Sequence, residues 1–478
     1  MPAAVRPLSV RPVAFVLGVA LILAAMSLGP LTGGGRGSVH PSPLAAGHLL
    51  ARDLSFPPDT HYCRTVLGIS CYQPSQFQQA YDLNPLYKQG LTGAGRTIVL
   101  VDAFGSPTIA NDLRTFDANY GLPDPPAFTI LQPAGAVPAY PEDPFGASDR
   151  FGWAIETTLD VEWSHVIAPG ANIVLVETPV SETEGLQGFP EIMAAENYVV
   201  DHGLGDVISQ SFGATEQTFT NPSQIVGLRG AFKNAHDHKV TVLASSGDQG
   251  AAAVASADGT CCLPYPAVIW PASDPLVTAL GGTQLHLADT SGLRLSADNV
   301  WNDSDMALGG NDPFTCCAGG GGVSSVFDRP DFQNRVGSVV GNARGIPDIS
   351  MSAAVDGGVV FYYTVLPGVT TTKPHWGIVG GTSEASPLFA GVVAIADQIK
   401  GDRIGYLNPK LYRMGDDSVP GIVDVTQGNN TYVFADAGGN PQTVPGYTAA
   451  SGYDLASGWG TIDAASFTRA LAGPWASW

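Results

Sequence analysis

Charge is scarce in this 478-residue chain: Asp, Glu, Lys and Arg make up 14% of it, against about 25% in an ordinary globular domain. Basic residues are the scarcer sign, with 22 Lys and Arg against 43 Asp and Glu and a formal charge of −21. That balance repels phosphate backbones, so nucleic acid is not an expected partner. Disorder is excluded too, because it needs low hydrophobicity and dense charge, whereas 44% of the residues are hydrophobic. No CxxC spacing occurs among the six cysteines, which argues against a cysteine metal site. No internal repeat and no block of like charge is found. Beyond residue 31 no apolar run is long enough to span a membrane.

Scarce charge has a physical consequence. Few carboxylates can be held in stabilising ion pairs, so acid removes little folding energy. At about pH 4 roughly half of the 43 acids are neutral, against 22 Lys and Arg and nine His, and the net charge changes sign. This composition suits an acidic environment. What is abundant is Gly (58) and Pro (37), and the length can bury one large core or two ordinary ones.

Arg6 and Arg11 precede an uncharged apolar run from Val13 to Leu31, followed by Gly33, Gly34 and Gly35. This is the pattern of a secretory signal peptide, with a membrane anchor as the alternative. Residues 1–31 are therefore read as signal peptide or N-terminal anchor. Residues 32–71 are read as linker or short pro-segment, and 72–475 as one large domain. A secreted chain can form disulfides. Cys63 with Cys71 closes a short loop and is the first pairing expected. The vicinal pairs Cys261-Cys262 and Cys316-Cys317 are then expected to cross-link two loops.

Thr97 to Val101 is a short apolar run of the kind a buried parallel strand needs. Further strands are expected at Ile173–Val176, Val207–Ser211 and Val240–Ser245. Helices are expected at Pro107–Tyr120, Trp153–His165, Glu191–His202, Gln224–His236 and Ser383–Lys400, with 251–345 loop-rich. This alternation predicts an α/β fold with an open, doubly wound parallel sheet flanked by helices. Function then gathers at the carboxyl ends of the strands.

Three local patterns carry chemistry. In Gly380-Gly381-Thr382-Ser383-Glu384-Ala385-Ser386-Pro387, tight glycines lead to a serine at the start of a helix. Free N–H groups and the helix dipole there favour an oxyanion, as an acyl-transfer nucleophile requires; an ordinary N-cap is the alternative. Glu156 and Asp160 lie four apart, hence on one helix face, and like charges at that spacing favour a shared proton. Trp153, Ile155, Leu159 and Trp163 argue that this helix is buried rather than a solvated acidic surface. Ser245-Ser246-Gly247-Asp248-Gln249-Gly250 closes a strand, and Asp248 is either a turn residue or a donor when protonated.

The serine segment matches GTSxASP, the serine motif of the subtilisin superfamily. A subtilisin pairs that serine with a histidine in an HGTH helix motif. None of the nine histidines here sits in one. The acidic helix, the SSGD turn and the GTS turn, in this order, resemble instead the sedolisin family, the serine-carboxyl peptidases. The likeness runs from about Tyr72 to Gly473. Supporting matches are Val207 to Gly213, Pro271 to Pro275, a Gly281-Gly282-Thr283 turn, Gly320 to Ser324 and Pro347 to Ser350.

The resemblance implies a subtilisin-like fold and a secreted, acid-acting endopeptidase that cleaves proteins through an acyl-enzyme. Ser383 would be the nucleophile and Glu156 its general base. Asp160 would hold and tune Glu156, and Asp248 would be the protonated oxyanion donor beside the Ser383 N–H. Asp102, where a subtilisin keeps its triad Asp, is read as structural. The resemblance further implies one structural Ca²⁺ held by the carboxylates of Asp424 and Asp454 and the carbonyls of Val425, Ala450 and Gly452. Protein or peptide substrates, a monomer, and membrane contact only through an uncleaved N-terminus are expected. Secreted sedolisins usually carry a long propeptide, whereas only about forty residues are expected here between signal and catalytic region. Two rival readings remain: a subtilisin-type peptidase using His165, and a catalytically dead binding protein on the same scaffold.

Overall fold

Apolar residues at every position of a strand demand burial on both faces, and the run at Thr97 meets that demand in the middle of a sheet. The computed structural model describes residues 48–138, 147–256, 261–304, 317–364, 375–436 and 439–473. The signal or anchor segment 1–31, the first part of the linker and Cys316 lie outside the described residues. Among the described residues, no helix is long and apolar enough to cross a membrane.

In chain order the elements that frame the site are as follows. They begin with β1 (His48–Leu54), β2 (Cys71–Tyr72), β3 (Thr97–Ala103), α1 (Ile109–Tyr120), β4 (Phe128–Leu131) and α2 (Ala147–Ile167). Next come β5 (Asn172–Thr178), α3 (Phe189–Asp201), β6 (Val207–Gln210), α4 (Gly230–Asp237), β7 (Thr241–Ser245), β8 (Thr278–Gln284) and β9 (Asn299–Val300). The last are β10 (Ile349–Ser352), β11 (Gly358–Tyr363), β12 (His375–Gly380), α5 (Thr382–Lys400), α6 (Asn408–Asp416) and α7 (Ala464–Ala472). The central sheet has eight strands. Its order is β9-β8-β7-β6-β3-β5-β4, and β10 also pairs with β8. All pairs are parallel except β8 with β9.

Side chains alternate across the sheet. Ile98 and Leu100 of β3 join the cluster around Leu159, Trp163, Leu388 and Phe389, under α2 and α5. Val99 and Val101 join the opposite cluster around Phe189, Ile192, Val199 and Phe232, under α3 and α4. The doubly wound parallel sheet with helices on both faces is the predicted architecture. Chain order reverses at β3, which lies between β5 and β6. Asp102, at the carboxyl end of β3, therefore sits where such sheets place function.

The expected strands and helices form, with three differences. The predicted helix at 224–236 is two, Pro222–Leu228 and Gly230–Asp237, parted at Arg229. The Arg229 guanidinium holds Asp274, with Nε 2.6 Å from Oδ2. The loop-rich stretch contains β8, and Gly281-Gly282-Thr283 is strand rather than turn. A Cβ on Gly282 would lie 2.8 Å from the Trp301 ring and 2.9 Å from the Ala353 Cβ, so the glycines answer close packing. Part of the 32–71 segment also joins a second sheet of order β1-β12-β11-β2, where β1 runs antiparallel to β12.

Cys63 and Cys71 are disulfide-bonded, as expected. Cys261 and Cys262 lie side by side, and because Cys316 lies outside the described residues the expected cross-link between the two vicinal pairs lies outside them too.

Candidate active site

β12 ends in Gly380, and Gly381 (φ +134°) turns the chain into α5. Only glycine tolerates this backbone without strain. A Cβ here would also lie 2.8 Å from Asp248 Oδ2, so glycine permits the close approach of that carboxyl. Ser383 is the second residue of α5 and is 1% exposed. It sits among the free N–H groups of a helix start. Four residues on, Pro387 lies inside the helix and has no N–H for the Ser383 carbonyl. The Ser211 hydroxyl, just past β6, approaches that carbonyl at 3.3 Å. Ser209 Oγ and Ser386 Oγ, 2.8 Å apart, tie β6 to α5 a second time.

α2 carries Glu156 and Asp160, both 0% exposed. Ile155, Leu159 and Trp163 bury the helix in the core, which is why its carboxyls are desolvated rather than solvated. The two carboxyls lie within hydrogen-bonding reach of each other, a contact that requires one of them to hold a proton. Burial, the Asp102 carboxyl and the Glu156 carboxyl together push Asp160 well above the usual carboxylate range. Its Oδ1 accepts from the Ser211 hydroxyl at 3.0 Å. Asp102 is buried and pushed up to about 7 by desolvation and by Glu177, against the Thr157 hydroxyl beside it. The residue read as structural therefore faces the catalytic candidates.

Asp248 follows β7. Its Oδ1 accepts the Thr382 N–H at 2.8 Å and the Thr382 hydroxyl at 2.7 Å. The Gly247 N–H reaches Thr382 Oγ1 at 3.1 Å, and the Ala318 N–H donates to the Asp248 carbonyl at 3.0 Å. The carboxyl is thus fixed in orientation, with Oδ2 on the Gly381 side. The structure brings Asp248 to the Ser383 turn, and Glu156 to Asp160.

His165 is not brought to this site. It lies nine residues beyond Glu156, about 13 Å along the helix axis. There its Nε2 sits 2.7 Å from the Pro123 carbonyl and 3.5 Å from Asp117. Burial holds its pKa below the usual value.

The residues named for calcium are all oxygen donors, and two of their carboxylates approach one loop. The Gly452 N–H donates to Asp424 Oδ2 at 3.0 Å, and the Ala450 N–H to Asp454 Oδ2 at 2.8 Å. Two carboxylates thus converge on the loop that carries two of the three carbonyl donors. Asp454 Oδ1 is anchored by the N–H groups of Ala456 and Ser457 at 2.9 and 2.8 Å. An all-oxygen set is what a hard cation takes. Among the described residues no three His, Cys, Asp or Glu converge as a metal cluster, so a site here relies on carbonyls.

Ser211, Thr382, Pro387 and Asp102 join the candidate site although the sequence reading gave them no role in it. The local signals were the strand-end position of Asp102, Thr382 in the GTS turn, the Ser-Gln-Ser run and the proline four residues after Ser383.

The model of the subtilase family matches residues 152–410, which include all four candidate catalytic residues. Kumamolisin of Bacillus sp. (strain MN-32) is 32% identical over 367 residues, covering 76% of this chain and 58% of kumamolisin. Sedolisin of Pseudomonas sp. (strain 101) is 28% identical over 399 residues, covering 83% of this chain and 60% of sedolisin. The chain thus spans less than two thirds of the length of these relatives. A solved structure of Pseudomonas sedolisin, a serine-carboxyl proteinase complexed with two molecules of pseudo-iodotyrostatin, superposes with a TM-score of 0.65 at 27% identity. That match covers 84% of this chain and 98% of the sedolisin chain. With its doubly wound sheet, its GTS turn and these matches, the chain belongs to the subtilase family and, within it, to the sedolisins.

Proposed function

We propose that this protein is a secreted serine-carboxyl endopeptidase that hydrolyses peptide bonds in proteins at acidic pH. The observation that carries the reading is the bridge from Asp160 through the Ser211 hydroxyl to the Ser383 turn. It links the buried acid pair to the serine, while His165 is engaged elsewhere on α2.

The chemistry follows from these residues. Ser383 Oγ attacks the peptide carbonyl carbon and its proton passes to Glu156. Asp160 holds Glu156 and keeps the second proton of the pair. The oxyanion is held by the Ser383 N–H and by Asp248, which can donate only when protonated. Glu156 then protonates the leaving amine, and water hydrolyses the acyl-enzyme by the reverse sequence. Acidic pH is needed because a carboxyl donor and a carboxyl base must coexist in opposite protonation states.

Asp424 and Asp454, with the carbonyls of Val425, Ala450 and Gly452, would hold one structural Ca²⁺. The ion would neutralise the two carboxylates and tie their loops together. The Cys63–Cys71 disulfide supports passage through an oxidising compartment, hence secretion.

Casein cleavage assayed across about pH 2–8 tests the reading. Wild type should peak in acid, and Ser383→Ala and Glu156→Gln should each lose most of the activity. Full activity in Ser383→Ala would sink the mechanism. A rate rising toward neutrality would favour a histidine base.

A further inference from the structure

The Ser211 hydroxyl has one hydrogen and two acceptors. Asp160 Oδ1 lies 3.0 Å away and the Ser383 carbonyl oxygen 3.3 Å away. Ser211, Asp160 and Ser383 are all buried. In an unbroken helix the Ser383 carbonyl would receive the N–H of residue 387. That residue is proline, so the ordinary donor is absent, and a buried carbonyl left unpaired costs free energy.

We propose that Ser211 is a positioning residue that makes the backbone of the Ser383 turn sense the protonation state of Asp160. With Asp160 protonated toward Glu156, its Oδ1 is a neutral and weaker acceptor, and the Ser211 hydrogen is given to the Ser383 carbonyl. When Asp160 ionises, its proton leaves and the Ser211 O–H rotates to the carboxylate. The Ser383 carbonyl then loses that donor, and the first turn of α5 loosens. The titratable groups that face Asp160 are Asp102 at the end of β3 and Glu156 on its own helix; Asp102 in turn faces Glu177 of β5. On the far side of the Ser383 turn, Asp248 is anchored to Thr382. All of these groups are acids, and those facing Asp160 favour its protonated form.

The proposal deepens the catalytic reading and rests on Ser383 being the nucleophile. If Ser383→Ala is fully active, that reading fails by itself, whatever Ser211 does.

The test compares Ser211→Ala, Ser211→Thr, Pro387→Ala and the double variant Ser211→Ala/Pro387→Ala, by kcat and KM on a peptide substrate across pH. Ser211→Ala should lower kcat about tenfold, the loss expected for one buried hydrogen bond, with KM nearly constant. Its high-pH limb should move up, because the carboxylate loses its donor. Ser211→Thr, which keeps the hydroxyl, should recover most of kcat. Pro387→Ala supplies a backbone N–H to the Ser383 carbonyl and should restore kcat in the double variant. Purely additive losses, or a Ser211→Ala profile that overlays wild type after normalisation, would overturn the proposal. If Ser211→Ala does not fold, Pro387→Ala alone decides. Its kcat should fall less between acid and neutrality than that of wild type, and a pH dependence identical to wild type rejects the coupling.

Discussion

Asp248 spends one oxygen on Thr382, accepting its backbone N–H at 2.8 Å and its hydroxyl at 2.7 Å through Oδ1. The residue before Ser383 therefore sets the orientation of the proposed oxyanion donor. Two donors on Oδ1 make it the acceptor oxygen and leave Oδ2 as the oxygen to carry a proton. The glycine before Thr382 gives that oxygen room, since a Cβ there would collide with it.

Asp248→Asn should therefore retain more activity than Asp248→Ala, because an amide can accept from Thr382 and still donate. Alanine should cost roughly 10²–10³ in kcat. Steady-state kinetics from acid to neutrality measure both effects. Equal losses in the two variants would count against an oxyanion role.

Stability should fall as pH rises toward neutrality. Burial pushes Asp102 and Glu184 up to about 7 and Asp117 up to about 8. Asp397 is likewise raised to about 7. Glu162, Glu196 and Glu384 are raised well above the usual range, also by burial. A carboxyl whose folded pKa exceeds its unfolded value binds more protons in the folded state. Its contribution is complete below about pH 4 and lost as pH rises through the folded pKa. Melting temperature should therefore drop between acid and pH 8. Glu196, fully buried with neither oxygen hydrogen-bonded, isolates the effect. Glu196→Gln should melt higher than wild type at neutral pH and much the same in acid. A melting temperature independent of pH would refute this account.

Chelation tests the calcium proposal without an activity assay. A chelator should lower the wild-type melting temperature, and added Ca²⁺ should restore it. Asp424 is exposed and its Oδ2 accepts from the Gly452 N–H, so Asp424→Ala should fold and no longer respond to either reagent. A wild-type melt that ignores the chelator would remove the case for a bound ion.

The Arg344–Asp348 pair predicts a large mutational cost. Both residues are fully buried, and Asp348 also accepts from the Tyr412 hydroxyl at 2.8 Å and the Ala279 N–H at 2.8 Å. Arg344→Met leaves that carboxylate buried without its cation. It should destabilise the fold by about 3–5 kcal/mol, read from urea unfolding in acid and at neutrality.

Much of the molecule was legible in one dimension because its signals are local. Apolar runs such as Thr97–Val101 marked parallel strands, and the four-residue spacing of Glu156 and Asp160 put both on one helix face. Apolar neighbours marked that helix as buried, and the glycines before Ser383 marked a turn into a helix. Glycine also misled: Gly281-Gly282 read as a turn but is strand, because close packing and turn formation select the same residue. The helix break at Arg229 was hidden for a related reason, since its side chain holds Asp274 on another segment.

Residue types and spacings, by themselves, determined the strand–helix alternation, the acid pair, the serine turn and the missing HGTH histidine. Tertiary structure alone decided which distant groups meet. Ser211 reaches Asp160 across 51 residues and Ser383 across 172. Asp102 joins the acids through sheet order, and His165 is carried away from them by the length of one helix. Such contacts depend on how a twisted parallel sheet stacks its strand ends, and no local period encodes that. Proline at 387 marks the division: the sequence shows that a carbonyl loses its donor, and only the fold shows that Ser211 approaches it.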